Sequence, residues 1–312
     1  MKTLRRPEKQ TGSLRAILPP YILDNIVRNG SDSQRDEALK TRSMDDTFRS
    51  LRMASQFGQP AVRGFTLPTF TTTPNQQQRS IYTASGARVL PGTLMRGEGQ
   101  PASGDAAVDE AYDGLGATLG FFQQIYGRNS IDNAGMPLVA TVHFGTNYTN
   151  AQWDGSQMIF GDGDNTLFNR FTLALDIIGH ELTHGVTEHD AHLQYFQQSG
   201  ALNESMSDVF GSLVKQYALL QTAVQADWLI GAGLFTSAVN GKAFRSMVMP
   251  GTAFDDPVLG KDPQPADMSG YVNTFDDNGG VHINSDIPNR AFYTVAMHLG
   301  GPAWERAGRI LV

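Results

Sequence analysis

The pentapeptide HELTH at residues 180–184 constrains this chain more than any other feature. It falls in a stretch at about 172–189 whose apolar spacing predicts a helix. Residues four positions apart lie on one face of an α-helix, so the imidazoles of His180 and His184 can bind the same metal ion. Glu181 lies at the edge of that face, where its carboxylate can reach a water molecule bound to the ion. The alternative is a helix whose histidines only cap or pack.

A third metal ligand follows in the segment GALNESMSD at residues 200–208. It opens a second stretch, at about 201–219, that apolar spacing predicts to be a helix, with Glu204 and Asp208 on one face. Two histidines and a glutamate supply three protein ligands and leave the fourth tetrahedral position for water. Asp208 can then hold the distal N–H of a ligating histidine. This pattern is typical of zinc metalloproteases, whereas the alternative is a pair of solvated helix carboxylates.

The composition excludes several other kinds of protein. The 312 residues include no cysteine, so thiolate metal ligands, a cysteine nucleophile and disulfides are impossible. A net charge of −7 argues against a nucleic-acid-binding protein, and no apolar run is long enough to cross a membrane. No hydrophobic segment follows the basic N-terminus, so we expect no cleaved signal peptide. We expect the protein to lie in the bacterial cytoplasm or to be released by a route that uses no cleaved signal peptide. We also expect a monomer.

Other stretches of the sequence predict further helices and strands, a linker and an extended element. Apolar spacing predicts a helix at about 105–126, and alternation predicts strands at about 138–144 and 157–160. Strands come first and long helices later, which indicates an α+β protein. The Pro/Thr/Gln-rich stretch at about 56–78 is typical of a linker or exposed loop. The run PPYIL at residues 19–23 predicts a rigid extended element.

The segment DNGGVHINS at residues 277–285 holds the last chemically suggestive group. Asp277 can orient His282 as a charged donor toward an oxyanion, although a lone histidine in a loop is more often structural. In this order and spacing, HELTH, GALNESMSD and DNGGVHINS resemble the thermolysin family of zinc metalloendopeptidases. The stretches NAQWDGSQM at 150–158 and FRSM at 244–247 extend the likeness, which runs from about Pro91 to the end.

The resemblance implies a two-lobed zinc peptidase with a β-rich N-terminal lobe, a helical C-terminal lobe and the active site in the cleft between them. It assigns a catalytic lobe including the zinc helix to residues 79–189 and a helical lobe, shorter than is usual in the family, to 190–312. The run PPYIL resembles the short propeptide of the protealysin-like branch. We therefore expect a propeptide-like segment at 1–50 and a linker at 51–78, with processing between about 44 and 78.

The expected propeptide would inhibit by laying Pro19, Pro20 and Tyr21 over the zinc cleft, since proline resists cleavage. A frayed or structural extension is the alternative. Residues 1–50 carry ten Lys+Arg and seven Asp+Glu, a net charge of +3, whereas residues 51–312 carry 14 and 24, a net charge of −10. This division is what electrostatic complementarity between a propeptide and its own enzyme would produce.

The resemblance also implies a role for individual residues. One zinc ion would be ligated by His180, His184 and Glu204, and Glu181 would act as general base and proton shuttle. Asp208 and Asn203 would support the ligating histidines. Tyr195 and His282 would stabilise the oxyanion, and Asp277 would hold His282 in place.

Polypeptide substrates would be held through their backbone by Asn150, the carbonyl of Ala151 and Arg245. Five apolar residues would line the pocket for the residue after the scissile bond, which implies cleavage before a bulky hydrophobic residue: Phe168, Phe171, Ile177, Ile230 and Phe244. A role in core packing explains each of these five equally well.

The sequence departs from the family at a double calcium site. Asp176 and Asp227 remain, but Lys215, Leu229 and Ala232 replace carboxylates, so two calcium ions could not be neutralised. We predict that the site is lost and that the ammonium group of Lys215 pairs with one or both remaining aspartates.

A second departure is Asp286, which stands where glycine is usual; a buried, unpaired carboxylate there would be costly. Two alternatives to an active endopeptidase remain: a truncated, inactive metal-binding homologue that acts as a binding module, and another glutamate-liganded zinc peptidase such as an aminopeptidase.

Overall fold

A computed structural model describes residues 15–56 and 77–312. The strands are β1 (Arg15–Ala16), β2 (Arg79–Thr83), β3 (Thr93–Gly97), β4 (Leu138–Val142), β5 (Ala151–Trp153), β6 (Met158–Phe160), β7 (Leu229–Ile230), β8 (Arg245–Ser246), β9 (Asp255–Asp256) and β10 (Gly260–Lys261). The helices are α1 (Pro20–Asn29), α2 (Asp32–Gln56), α3 (Ala106–Tyr126), α4 (Leu175–His189), α5 (Gln197–Ala218), α6 (Asp277–Asn284) and α7 (Asp286–Leu299). All six strands of the main sheet, β1 to β6, precede α4, and α4 to α7 are the long elements of the later chain, which confirms the α+β prediction.

A six-stranded mixed sheet forms the N-terminal lobe, in the order β1-β5-β6-β4-β2-β3. The central strand β4 pairs in parallel with β2 and β6, and all five of its residues are buried. A strand covered on both faces does not show polar alternation, so the prediction of an alternating strand to residue 144 is wrong in pattern and two residues too long. The edge strand β1, which pairs with β5, comes from the N-terminal segment.

The helix predicted at 105–126 is confirmed as α3. Asp105 caps it by accepting hydrogen bonds from the N–H groups of Ala107 and Val108, and Gly127 ends it in the left-handed conformation. These are the residue types that helix ends favour. Helix α3 lies against both β2 and α4, so it joins the sheet to the helix that carries HELTH.

Helices α4 and α5 pack closely because glycines face each other between them. A Cβ atom on Gly211 would lie 2.3 Å from the carbonyl oxygen of Asp176, and one on Gly179 would lie 3.0 Å from Cα of Gly211. Only glycine permits this approach, which brings the HELTH face of α4 against the Glu204 face of α5. Both predicted helices are confirmed, with α4 beginning at Leu175 after a short 3₁₀ turn at Phe171–Leu173.

The N-terminal segment is helical, and the extended element predicted at residues 19–23 is wrong. Pro19 is extended, with φ −64° and ψ 144°, but Pro20 begins α1. Proline suits the first turn of a helix because that position needs no N–H and the ring fixes a compatible φ. The pair of prolines therefore marks a helix start.

Helix α2 continues beyond residue 50 to Gln56, and Met44 and Phe48 are buried. The exposed processing region expected from about residue 44 is therefore wrong at its start. Its remainder, at 57–76, lies outside the described residues. Within the described ranges, no helix combines the length and apolar character needed to cross a bilayer.

Candidate active site

Three buried side chains from α4 and α5 converge on one point. The Nε2 atoms of His180 and His184 lie 3.4 Å and 3.3 Å from the two carboxylate oxygens of Glu204. One ligand atom from each residue lies within 4.8 Å of the others, and all three residues are fully buried. Both Nε2 atoms and Glu204 Oε2 have no hydrogen-bond partner within residues 15–56 and 77–312. Unpartnered buried nitrogen and oxygen atoms in this arrangement fit a metal ion.

The other ring nitrogens of the two histidines are held by neighbours on α5. His180 Nδ1 lies 2.8 Å from Asp208 Oδ1, and His184 Nδ1 lies 2.8 Å from Asn203 Oδ1 and 3.0 Å from Ser207 Oγ. These contacts turn both Nε2 atoms toward Glu204, which is how partners of a ligating histidine fix its orientation.

The pKa shifts of His180, His184 and Glu204 also favour a bound cation. Burial lowers the pKa of His184 to about 4, which keeps its ring neutral. Burial also disfavours charge on His180, but Asp208 and Glu204 outweigh it and raise the pKa of His180 to about 9. Although burial opposes ionisation of Glu204, the charge of His282 and the proximity of the other histidines hold its pKa well below the usual range. A metal ion would displace the proton from His180, since a ligating imidazole is neutral.

Asp208 connects the metal centre to Arg245 on β8. Arg245 donates to both Asp208 oxygens, at 2.7 Å from Nε and 2.6 Å from Nη2, and Asn289 donates to Asp208 Oδ2 at 2.8 Å. The third guanidinium nitrogen, Nη1 of Arg245, has no hydrogen-bond partner in the part of the chain that the structure describes. It is therefore the guanidinium atom that can still donate a further hydrogen bond.

Glu181 follows His180 on α4, and one of its two carboxylate oxygens already accepts a hydrogen bond. Its Oε2 accepts a hydrogen bond from the backbone N–H of Trp153 on β5, at 2.9 Å. Burial raises the pKa of Glu181 to about 8. Its Oε1 lacks a partner among the described residues, so this oxygen can still accept a hydrogen bond.

Tyr195 and His282 also lie close to the carboxylate of Glu204. The hydroxyl of Tyr195 donates to Glu204 Oε1 and lies 3.3 Å from His282 Nε2. Asp277 accepts from both Nδ1 and the backbone N–H of His282, at 2.6 Å and 2.8 Å. Burial disfavours a charged His282, but Asp277 and Glu204 overcome this and raise its pKa to about 9. His282 is thus a charged donor near the centre.

The close contact between Asp277 and His282 depends on the two glycines of DNGGVHINS. Gly279 and Gly280 have φ values of 86° and 76°, in the left-handed region that glycine adopts without strain. A Cβ atom on Gly279 would lie 2.6 Å from Cγ of Gln197. The glycine pair therefore lets the start of α6 turn tightly against α5.

The strand β5 is occupied by the chain's own residues 15–18. Ile17 donates from its N–H to the carbonyl of Ala151 at 3.1 Å, and Leu18 donates to Asn150 Oδ1 at 3.0 Å. The Asn150 amide donates in turn to Asp45 Oδ2 at 3.0 Å. Two of the three groups expected to bind a substrate backbone, Asn150 and the Ala151 carbonyl, are therefore engaged by the N-terminal segment.

The three residues expected to cover the cleft follow this paired segment. Pro19 and Pro20 lie at the start of α1. The hydroxyl of Tyr21 is buried without a hydrogen-bond partner among the described residues. Residues 15–18, rather than Pro19, Pro20 and Tyr21, form the strand paired with β5.

The five residues expected to line the specificity pocket lie together in one hydrophobic cluster, and each is at most 1% exposed: Phe168, Phe171, Ile177, Ile230 and Phe244. The rings of Phe168, Phe171 and Phe244 have centroids 6.1–6.3 Å apart. Pocket lining and core packing are both compatible with these contacts.

The position of the expected calcium site holds an ion-pair cluster. The ammonium group of Lys215 lies 3.0 Å from Asp176 Oδ2 and 3.0 Å from Asp227 Oδ1, and it donates to the carbonyl of Leu229 at 3.0 Å. Asp176 also accepts from the N–H of Gly231 at 3.1 Å. Ala232, next to Gly231, contributes no carboxylate to this cluster.

Asp286 is fully buried in the first turn of α7. Its Oδ1 accepts from Asn289 at 2.7 Å, whereas Oδ2 has no partner within the described ranges. Burial raises the pKa of Asp286 well above the usual range, which favours the neutral form of this side chain. Protonation therefore lowers the cost of burying the unpaired carboxyl oxygen.

Sequence reasoning missed the groups that anchor the N-terminal segment. Arg15 and Arg52 both contact Glu188 near the end of α4, and Asp45 accepts from Tyr148 and Asn150. Each pair is separated by more than 100 residues, so local spacing gives no signal. The net charge of +3 on residues 1–50 was the one available hint.

Comparison with known proteins agrees with this geometry. Family models match three consecutive parts of the chain: the protealysin propeptide at residues 15–41, the catalytic domain of thermolysin metallopeptidase at 36–188 and its alpha-helical domain at 191–312.

Two relatives and one solved structure match nearly the whole chain. An extracellular metalloprotease of Pectobacterium carotovorum subsp. carotovorum is 56% identical over 95% of this chain and 82% of that protein. The protease PrtS of Photorhabdus sp. (strain Az29) is 49% identical over 96% of this chain and 80% of that protein. The precursor of protealysin, a metalloproteinase from Serratia proteamaculans, superposes with a TM-score of 0.84 at 55% identity, covering 95% of this chain and 84% of that one.

The predicted resemblance is therefore confirmed, together with the two-lobed fold, and the inactive alternative gains no support. The metal-ligand geometry, the propeptide match and the family models lead to one conclusion: this chain is a metalloprotease that belongs to the thermolysin metallopeptidase family and carries a protealysin-type propeptide.

Proposed function

We propose that this chain is the zymogen of a zinc endopeptidase whose substrate-binding strand is blocked by its own residues 15–18. The observation that carries the proposal is the convergence of His180, His184 and Glu204 beside a strand whose Ala151 carbonyl already accepts a backbone hydrogen bond. The family match supports zinc as the metal, and the buried nitrogen and oxygen donors suit it.

The proposed chemistry divides between the metal and the protein. Zinc, when bound, supplies a Lewis acid and lowers the pKa of a coordinated water to about 7. Glu181 accepts a proton from the attacking water on its carboxylate and delivers it to the leaving amine. Burial raises the pKa of Glu181 above the usual range for glutamate, which makes its carboxylate a stronger base. Tyr195 and His282 donate hydrogen bonds to the developing oxyanion.

Support for these roles comes from the hydrogen bonds around each group. Asp208 and Asn203 orient the histidines, and Asp277 keeps His282 charged and aligned. A peptide substrate would add a strand to β5 through Asn150 and Ala151, with Arg245 Nη1 on a carbonyl. The aromatic cluster around Phe168 and Phe244 suits a bulky hydrophobic residue after the scissile bond.

In the proposed enzyme, Lys215 takes the place of calcium. Its ammonium group contacts Asp176 and Asp227 directly, and both carboxylates pull the pKa of Lys215 upward against burial. This cation, fixed in the chain, offsets part of the negative charge of the two carboxylates without a metal ion.

The relative from Pectobacterium is named an extracellular metalloprotease. Its name supports the proposal that this enzyme, too, is released from the cell.

The test is the isosteric variant Glu181→Gln, purified as the full chain with its zinc content measured. We expect one zinc per chain, no cleavage of a reporter peptide and no processing of the N-terminal segment. The control is Glu305→Gln, which makes the same charge change on an exposed residue and should process and cleave like the parent. Normal cleavage by a zinc-loaded Glu181→Gln enzyme would refute the role of Glu181. A zinc-loaded parent that never cleaves would favour the inactive binding module.

A further inference from the structure

The carboxylate of Glu188, near the end of α4, receives two arginines from the N-terminal segment. Arg15 Nη1 lies 3.2 Å from Glu188 Oε2, and Arg52 Nη2 lies 3.0 Å from the same oxygen. Burial would disfavour the ionised form, yet Arg52 and Arg15 hold the pKa of Glu188 below its usual range. Glu188 is therefore a negative charge at the point where the N-terminal segment meets α4.

The side chain of Arg15 fills a site formed by groups on α4 and by Tyr195. Its Nη1 also donates to the backbone carbonyl of His184 at 2.9 Å, and its guanidinium carbon lies 5.8 Å from the ring centre of Tyr195. Arg15 is only 2% exposed. A carboxylate, a carbonyl and an aromatic face together suit a planar guanidinium.

The backbone of Arg15 sets where this site lies along the cleft. Arg15 pairs with Trp153, and Ala16 with Gln152, in the antiparallel ladder between β1 and β5. Two residues on, Ile17 donates to Ala151, which is the group proposed to bind a substrate backbone. A substrate strand that uses the same carbonyl places its own residue opposite Trp153, with the side chain directed as in Arg15.

We infer that Glu188 is a specificity-determining residue, which makes the processed enzyme prefer an arginine at the substrate position that Arg15 occupies in the precursor. The inference rests on the proposed endopeptidase function and on the substrate strand pairing with β5. Processing within residues 57–78 would remove Arg15 and Arg52 together. Glu188 would then lose both cationic partners, and one substrate guanidinium would meet its carboxylate without a competing arginine.

The precursor itself shows why one guanidinium fits better than two. Burial lowers the pKa of Arg15, and the charge of Arg52 lowers it further. The two arginines therefore repel each other while sharing one carboxylate. A single arginine from a substrate would gain the attraction to Glu188 without that repulsion. The side chain of Glu188 is 32% exposed, so the gain is that of a partly screened ion pair.

The experiment uses the processed enzyme and peptides with a hydrophobic residue after the scissile bond. Arginine is placed in turn at each of the three positions before that bond, and each peptide is matched with a glutamine version. At one position only, we expect kcat/KM for the arginine peptide to be about five times that for its glutamine version, an Arg/Gln ratio of about five. The variant Glu188→Gln should bring this ratio to about one, and high salt should lower it in the parent. The control Glu305→Gln should leave the ratio unchanged.

A charge reversal gives a second, independent readout. Glu188→Arg should prefer glutamate over glutamine at the same position. A ratio near one at all three positions in the parent, or an unchanged ratio in Glu188→Gln, would overturn the inference while peptide cleavage continued. Absence of cleavage of every peptide by the zinc-loaded, processed enzyme would refute the proposed function instead, so the two failures are distinguishable.

Discussion

The backbone N–H of Ile17 donates a hydrogen bond to the carbonyl oxygen of Ala151 across 3.1 Å. The bond joins the N-terminal segment to the edge of the catalytic sheet, at the strand whose next residue but one, Trp153, also donates to Glu181. Ile17 is fully buried. Inhibition and catalysis thus meet on one three-residue strand, and this predicts how the precursor responds to changes in its N-terminal segment.

Replacing Ile17 with aspartate should release the segment from β5. An unpaired carboxylate at a fully buried position costs several kcal/mol, enough to favour an open cleft. We expect the initial rate of reporter-peptide cleavage, per intact chain counted by mass spectrometry, to rise at least about tenfold. Ser33→Asp adds the same charge at an exposed position of α2 and should behave like the parent. An unchanged rate for Ile17→Asp would contradict blockage by residues 15–18.

Asp45 should make docking of the segment depend on pH. Burial raises the pKa of Asp45 to about 7, against the effect of hydrogen bonds from Tyr148 and Asn150 and the charge of Arg49. The folded precursor therefore favours the protonated form. This contribution to stability is complete below the unfolded pKa of about 4 and is lost as pH rises through about 7.

The measurement compares the free energy of unfolding of two precursors, Glu181→Gln and Glu181→Gln/Asp45→Asn, between pH 4.5 and 8. Glu181→Gln prevents self-digestion in both. The Asp45→Asn precursor should become progressively more stable than its partner as pH rises, because its amide never ionises. A difference that stays constant over the whole range would rule out Asp45 as the titrating group.

Lys215 should be essential for stability, and calcium should have no effect on the parent. Lys215→Met leaves Asp176, whose side chain is 2% exposed, without its cation, and breaking such a pair costs about 3 kcal/mol. Calorimetry should show a lower Tm for Lys215→Met and no shift of the parent Tm on adding calcium chloride. A rise of several degrees in the parent with calcium would mean that the calcium site persists.

The sequence predicted the helices that carry the metal ligands because their signals are local. Asp105 and Gly127 mark the ends of α3, and the four-residue spacing of His180 and His184 determines a common helix face. The order of the three motif blocks then sufficed to predict the fold and the family. Tyr195 and Glu204 are only nine positions apart in the sequence, so the family resemblance could also predict that they lie together.

What the sequence could not predict depends on contacts between distant residues. Arg15 and Glu188 meet across 173 positions, and neither lies in a recognisable motif. Pro19-Pro20 misled because proline suits both an extended chain and the first turn of a helix, and only the packing of Ile22, Leu23 and Ile26 in the core selects the helix. Helix α2 (Asp32–Gln56) was likewise not predicted from the sequence.

The central claim is that residues 15–18 block a functional zinc centre. The most direct test measures peptide cleavage and zinc content on one preparation of the chain, before and after removal of the N-terminal segment. We predict equal zinc content in both states and cleavage at least about 100-fold faster after removal, abolished by a zinc chelator. Equal rates before and after removal, with zinc fully bound in both, would contradict the claim.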